Sequence, residues 1–163
     1  MKPTKRSVSA LAGQVQGVVS QQRMVESGVF QCLISSASQT RRNLLSHAAA
    51  DAGWEATVFA TPDQALVGYQ RDLFRFAVVD LDDRGETPNG SRELVQTLAQ
   101  DPKRILVGVC GHEADPDEEI WVRQLGIWLY LPGTTTTSEL SLLCEHAMQV
   151  VMKQQRDKEV AAS

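Results

Sequence analysis

The sequence lacks the features that would place it in a specialised class. No apolar run in its 163 residues approaches the roughly 20 needed to span a bilayer. Lys2, Lys5 and Arg6 open the chain, but Gly13, Gln14, Gln16 and Gly17 follow, so the stretch does not read as a signal-peptide core. There is no GxGxxG after the first predicted strand and no GxxxxGK followed by Ser or Thr, which removes support for a dinucleotide or P-loop site. The cysteines, Cys32, Cys110 and Cys144, are odd in number and far apart, with no CxxC. They read as buried, reduced thiols of a cytoplasmic protein. A net charge of −4 gives no electrostatic reason to expect nucleic acid or an anionic membrane as partner.

What is present is an ordinary globular composition, 42% hydrophobic and 22% charged, at a length that suits one domain with a core and is short for two. The most informative stretch runs from Phe76 to Asp83. A continuous apolar run with β-branched residues, Phe-Ala-Val-Val, suits a strand buried on both faces. It ends in Asp80, Asp82 and Asp83, carboxylates placed where strands of an open α/β sheet meet their ligands.

Residues 1–28 are rich in Ser, Gln and Gly and are expected to form a flexible tail or docking peptide. From Val29 to Ser36 the pattern predicts a strand, and Ser38 caps a helix over Gln39 to Asp51 that Gly53 stops. A second strand covers Glu55 to Ala60. Thr61-Pro62-Asp63-Gln64 starts a helix that ends near Leu73. The third strand, Arg75 to Leu81, is followed by a polar loop and a helix over Ser91 to Gln100. Arg104 to Cys110 forms the fourth strand. The acids Asp115, Asp117, Glu118 and Glu119 load the positive end of the next helix, a pattern usual for a solvated helix start. Ile127 to Leu131 is the fifth strand. Thr136 and Glu139 make a capping box for a last helix, which turns polar beyond Met152. A domain over 29–152 with a polar C-terminal extension over 153–163 follows. Five strands alternating with five helices call for an α/β, doubly wound parallel sheet of the flavodoxin-like (βα)5 kind.

Five βα units with an Asp closing the third strand in Val-Val-Asp-Leu resemble the receiver domain of two-component response regulators. The resemblance implies strand order 2-1-3-4-5, with the first and third strands ending side by side. It makes Asp80 the equivalent of the phosphoacceptor, Tyr130 the switch aromatic and Gly126 the Gly opening the fifth strand. The rest of the pocket departs from the pattern. Ser35 and Ser36 stand where two Mg²⁺-holding acids belong, Cys110 replaces the hydroxyl residue ending the fourth strand, and Gly133 replaces the lysine. Neutral serines hold Mg²⁺ poorly. Phosphoryl transfer rests on positioning and charge neutralisation, and losing these groups together costs roughly 10⁴ in rate.

The expectation is therefore a degenerate pseudo-receiver, a signalling and protein-interaction module with no enzymatic activity and no cofactor. Its output passes through a protein partner or a homodimer, with Trp121, Trp128 and Tyr130 presented on the face of the fourth helix, fifth strand and fifth helix. Two alternatives stand beside it. In a phosphorelay receiver, Asp80 takes the phosphoryl group in a rebuilt acidic site, with Asp82 and Asp83 helping to hold Mg²⁺ or with Arg41 or Arg42 of the first helix supplying positive charge. In a small-anion module, Ser35, Ser36 and Ser38 donate at a helix N-terminus. Cys110 and His112, two residues apart, read as a small core residue and a residue past the strand end rather than a nucleophile and its base.

Overall fold

The computed structural model describes residues 30–81, 89–133 and 136–162. The N-terminal segment 1–28, Asp82 and Asp83 thus lie outside the described residues. The elements alternate strictly: β1 (Gln31–Ser35), α1 (Gln39–Asp51), β2 (Glu55–Phe59), α2 (Pro62–Arg71), β3 (Phe76–Asp80), α3 (Gly90–Ala99), β4 (Leu106–Gly111), α4 (Pro116–Gln124), β5 (Leu129–Pro132) and α5 (Thr137–Ala162). The strands form one parallel sheet in the order β2-β1-β3-β4-β5. That is the α/β, flavodoxin-like order expected from the sequence.

The helix starts follow from side-chain chemistry. Ser38 Oγ accepts from the Arg41 amide, Thr61 from Gln64, and Asp115 from Glu118, each satisfying one of the amides a helix leaves unpaired at its first turn. Thr136 and Glu139 close the reciprocal capping box at the start of α5.

β3 is buried along its whole length, and its side-chain alternation serves two cores at once. Ala77 and Val79 pack with residues of α2, α3 and α4, among them Tyr69, Leu94, Leu98 and Val122. Phe76 and Val78 face α1 and α5, through Leu45, Ala49, Leu140 and Ala147. β2, at the sheet edge, is mostly exposed. An aromatic run, Phe30–Trp54–Phe76–Trp128, crosses the α1/α5 side near the strand starts, with ring centroids 5.1–6.2 Å apart. Trp54 also donates its indole N–H to the Cys144 carbonyl at 2.9 Å, tying the start of β2 to α5. The last buried residue of α5 is Val151, and the helix continues to Ala162. All three cysteines are free and buried. Among the described residues no helix is long and apolar enough to cross a membrane.

Trp54→Phe removes the indole N–H that bonds the Cys144 carbonyl and leaves part of the indole's volume unfilled. A loss of about 1–3 kcal/mol is expected, read as a lower urea midpoint at unchanged m-value.

Candidate functional site

The carboxyl ends of β1 and β3 meet where the chain runs from β1 outward to β2 on one side and to β3 on the other, the crevice at which open α/β sheets bind ligands. Asp80 closes β3 there and is only 9% exposed. Ser35 pairs with Val79 in the sheet, which brings the next residue, Ser36, level with Asp80. The Ser36 hydroxyl donates to Asp80 Oδ2 at 2.8 Å. Arg41, one turn into α1, donates Nε to the same oxygen at 2.9 Å. Among the described residues Asp80 Oδ1 accepts no hydrogen bond.

The start of α1 is fixed to make this contact. Ser36 Oγ accepts from the Ser38 amide at 3.2 Å, and Ser38 Oγ caps the helix through the Arg41 amide. Arg42 donates to the Ser36 carbonyl at 2.8 Å. Arg41 therefore leaves the helix with its backbone held by Ser38, and its guanidinium falls on Asp80. The hydroxyls of Ser36 and Ser38 are committed to the carboxylate and the helix cap. An anion at this helix start would also face the Asp80 carboxylate, so the serines do not form an open anion cradle.

Among the described residues the donor set around Asp80 does not fit Mg²⁺. A hard divalent cation needs several oxygen ligands, commonly carboxylates. Here Asp80 Oδ2 is already paired with a guanidinium, and the positions after β1 carry the neutral side chains of Ser35 and Ser36. Cys110 pairs with Asp80 across the sheet and is 1% exposed. Burial, opposed in part by Arg41, pushes its thiol from 9.0 up to about 12. That is the opposite of an activated nucleophile. His112 points elsewhere, to Glu118. Gly133 has φ +77° and receives a backbone contact from Gly111, its amide donating to that carbonyl at 3.0 Å.

A second polar centre lies at the far end of β4, and the sequence pattern concealed it. Glu118, in the acidic stretch expected to be a solvated helix start, is 1% exposed. Its Oε1 accepts from the His112 amide at 2.7 Å and from the Tyr130 hydroxyl at 2.8 Å. Its Oε2 faces His112 Nδ1 at 2.9 Å and Arg92 Nη2 at 3.2 Å. Asp115 caps α4, and that first turn aims Glu118 inward rather than at solvent. His112, Asp115 and Glu118 bring ligand-type atoms within 4.8 Å of one another. Both Glu118 oxygens already accept hydrogen bonds, one from a guanidinium, so the cluster is a hydrogen-bonded junction and not a cation cage. Gly111 is required beside it, since a Cβ there would run into Tyr130 and Glu118.

Tyr130 is thereby turned inward, 9% exposed, with its hydroxyl pKa raised by burial and by Glu118. Trp121 packs on the α2/α3/α4 side under the Arg92 guanidinium, 4.8 Å from its ring. Trp128 packs on the α1/α5 side, edge-on to Phe76 at 6.1 Å. The structure does not gather these three aromatics on one open face.

No protein-family model matches the sequence, and no curated protein matches it significantly. Solved structures do match. The chemotaxis response regulator CheY4 of Vibrio cholerae superposes with TM-score 0.61 at 20% identity, over 72% of this chain and 97% of that one. A CheY-like response regulator receiver domain protein of Methanospirillum hungatei gives TM-score 0.64 at 16% identity, over 78% and 97%. NtrX of Brucella abortus in complex with ADP gives TM-score 0.65 at 17% identity, over 80% of this chain and 29% of that one, so this chain spans less than a third of that NtrX chain. The fold is that of CheY-like response-regulator receiver domains.

Glu118→Gln replaces an acceptor-only group with one that brings an N–H₂ against existing donors, and a cost of about 2–3 kcal/mol is expected. Tyr130→Phe removes a single donor and costs about 1 kcal/mol; urea unfolding of both variants checks the order. The raised Cys110 pKa also has a sign. Its stabilising effect is fully present below pH 9.0 and is lost as pH rises from there through about 12, at up to ~1.4 kcal/mol per pH unit. Alkaline urea titrations should therefore fall more steeply for the wild type than for Cys110→Ala.

Proposed function

We propose that this chain is a pseudo-receiver: a receiver-fold signalling module, spanning about residues 29–152, whose state is set by a protein partner rather than by Mg²⁺-dependent phosphorylation of Asp80. The observation that carries this reading is the Arg41 guanidinium on Asp80 Oδ2, with Ser36 on the same oxygen. The positive charge that an incoming metal would supply is already part of the chain. A phosphoryl group arriving at Asp80 meets a carboxylate already paired through one oxygen. In this reading the module works in the cytoplasm, is not an enzyme and takes no cofactor. Its docking surface is built on α4, β5 and α5, where Ile120 and Leu142 are each 53% exposed. A homodimer through that face is a further way to deliver output.

The competing reading, a phosphorelay receiver with a rebuilt acidic site, is favoured by one feature. Asp80 Oδ1 accepts no hydrogen bond among the described residues and is available as a nucleophile.

Intrinsic tryptophan fluorescence during titration with Mg²⁺ and then beryllofluoride, a mimic of the aspartyl phosphate, separates the two. Trp121 is the useful reporter, because Arg92 links its ring to the Glu118–Tyr130 junction. Trp128 sits near the starts of the strands, at the other end of β3. No saturable change is expected up to roughly 10 mM metal, a range that would reveal even a millimolar site. A saturable, Mg²⁺-dependent change that Asp80→Asn abolishes would overturn the pseudo-receiver and establish the phosphorelay.

A further inference from the structure

At the opposite edge of the sheet from Asp80, where the strands begin, four cationic side chains converge on one open depression of ≈ 330 Å³. Its walls are Leu73 and Arg75 from the α2–β3 connection, Asp101, Lys103 and Arg104 from the α3–β4 connection, and Lys158 from the end of α5. Asp101 is the single carboxylate among the lining residues, so the depression is strongly positive in a chain whose net charge is −4.

Arg75 is what distinguishes this place from an ordinary basic surface. It is only 8% exposed, yet its Nε and Nη2 have no hydrogen-bond partner among the protein atoms described. Its backbone is fully engaged: the amide donates to the Gln31 carbonyl at 3.0 Å, and its carbonyl accepts from Leu106 at 2.9 Å. Those two bonds fix the backbone of Arg75 at the start of β3, between β1 and β4. A buried guanidinium without a counter-charge is costly. Arg104 shows how the chain treats a cation it does satisfy. Its Nη2 donates to the Tyr69 and Asp72 carbonyls at 3.0 and 3.3 Å, and its guanidinium lies 4.2 Å from the centre of the Tyr69 ring. Even so, Arg104 Nε is also buried without a partner. Two neighbouring guanidinium groups, whose charge the protein atoms described leave partly unpaired, thus line a depression that two lysines complete.

We propose that this depression binds a small phosphate-type oxyanion, free or as a phosphate monoester. Paired guanidinium donors suit the planar, multi-oxygen face of such an anion, and each such bond is charge-assisted. The volume lies at the low end for small-ligand sites, ~300–1,000 Å³. That argues for a compact anion rather than a polymer, as does convergence of the cations on one point instead of a stripe. Leu73, 54% exposed at the rim, gives a monoester an apolar contact that inorganic phosphate cannot use. The site is separate from Asp80: five residues of strand put about 16 Å between the two ends of β3.

Isothermal titration of the full chain at constant ionic strength, with inorganic phosphate and with phenyl phosphate, tests this. Saturable one-site binding is expected. Lys103→Gln and Lys158→Gln, both at exposed positions, should each weaken it about tenfold, the scale of one lost charge-assisted bond, without changing the circular dichroism or the unfolding midpoint of the free protein. Arg75→Gln should abolish it. Tighter binding of phenyl phosphate marks an organic ester as the ligand class, and equal affinities mark the free anion. Asp80→Asn should bind like the wild type. Absence of saturable heat with either probe, retention of affinity in the Lys103→Gln/Lys158→Gln double variant, or loss of binding in Asp80→Asn would each overturn the proposal.

Discussion

The contact between Arg41 and Asp80 decides what the rest of the fold can do. A carboxylate at the end of a central parallel strand, nearly shut off from water, must be paired or must give up its charge. This chain pairs it from within, using a residue one turn into the neighbouring helix. The consequence for metal binding is electrostatic. With an effective dielectric of about 20, two unit charges 4 Å apart interact by roughly 4 kcal/mol. A divalent cation drawn to Asp80 would therefore meet a repulsion from Arg41 of twice that scale, with no second described carboxylate to offset it. Arg41 would have to leave first. Its departure would forfeit the hydrogen bond to Oδ2 and leave the Ser38-capped start of α1 without its anchor to β3.

Glu118 applies the same solution farther along the same edge of the sheet, beyond the end of β4. A single buried carboxylate collects donors from the β4–α4 connection, from β5 and from α3, so that His112, Tyr130 and Arg92 are held by one acceptor. A switch needs an element with two arrangements of similar free energy. Turning Tyr130 outward would leave Glu118 Oε1 short of a donor in a dry site, and Gly111 offers no side chain to fill the space. Both places where a receiver fold would be expected to change state are thus occupied by internal ion pairs and hydrogen bonds. Any change of state would have to replace those internal contacts with others of similar free energy.

The fold was legible in the sequence because its determinants are local. Ser38, Thr61 and Thr136 cap helices where their spacing to the following residues says they should, and the all-apolar Phe76–Val79 run suits a strand covered on both faces. Asp80 was visible for the same reason. Its partners were harder to read, since Arg41 is one of two adjacent arginines in α1 and the choice between them depends on where Ser38 starts the helix. Glu118 was misjudged because acids at a helix N-terminus have a sufficient local explanation in the macrodipole. Only the packing of α4 against β4 and β5 turns one of the four inward. A signal did exist: Arg92, His112 and Tyr130 are polar residues flanking predicted core positions, and a buried acceptor is what would reconcile them. Arg75 gave the opposite difficulty, a charged residue absorbed into the predicted third strand, where it sits just ahead of the strand's first buried residue.

β3 therefore carries a charge at each end with a dry apolar run between, and the two ends are balanced differently. Asp80 is neutralised by its own chain, whereas Arg75 lacks a partner for two of its donors. Neither can compensate the other across the strand, because the intervening Phe76–Val79 segment is clamped by two independent cores and cannot slide without exposing one of them. One residue of slip would exchange the inward faces, sending Ala77 and Val79 to the α1/α5 side. Any influence of an anion at the lower edge on the upper edge must then travel through the helices, and α5 is the element placed to carry it: Lys158 lines the depression, while Leu140 and Leu143, about four to five turns toward its start, pack in the same core as Cys110.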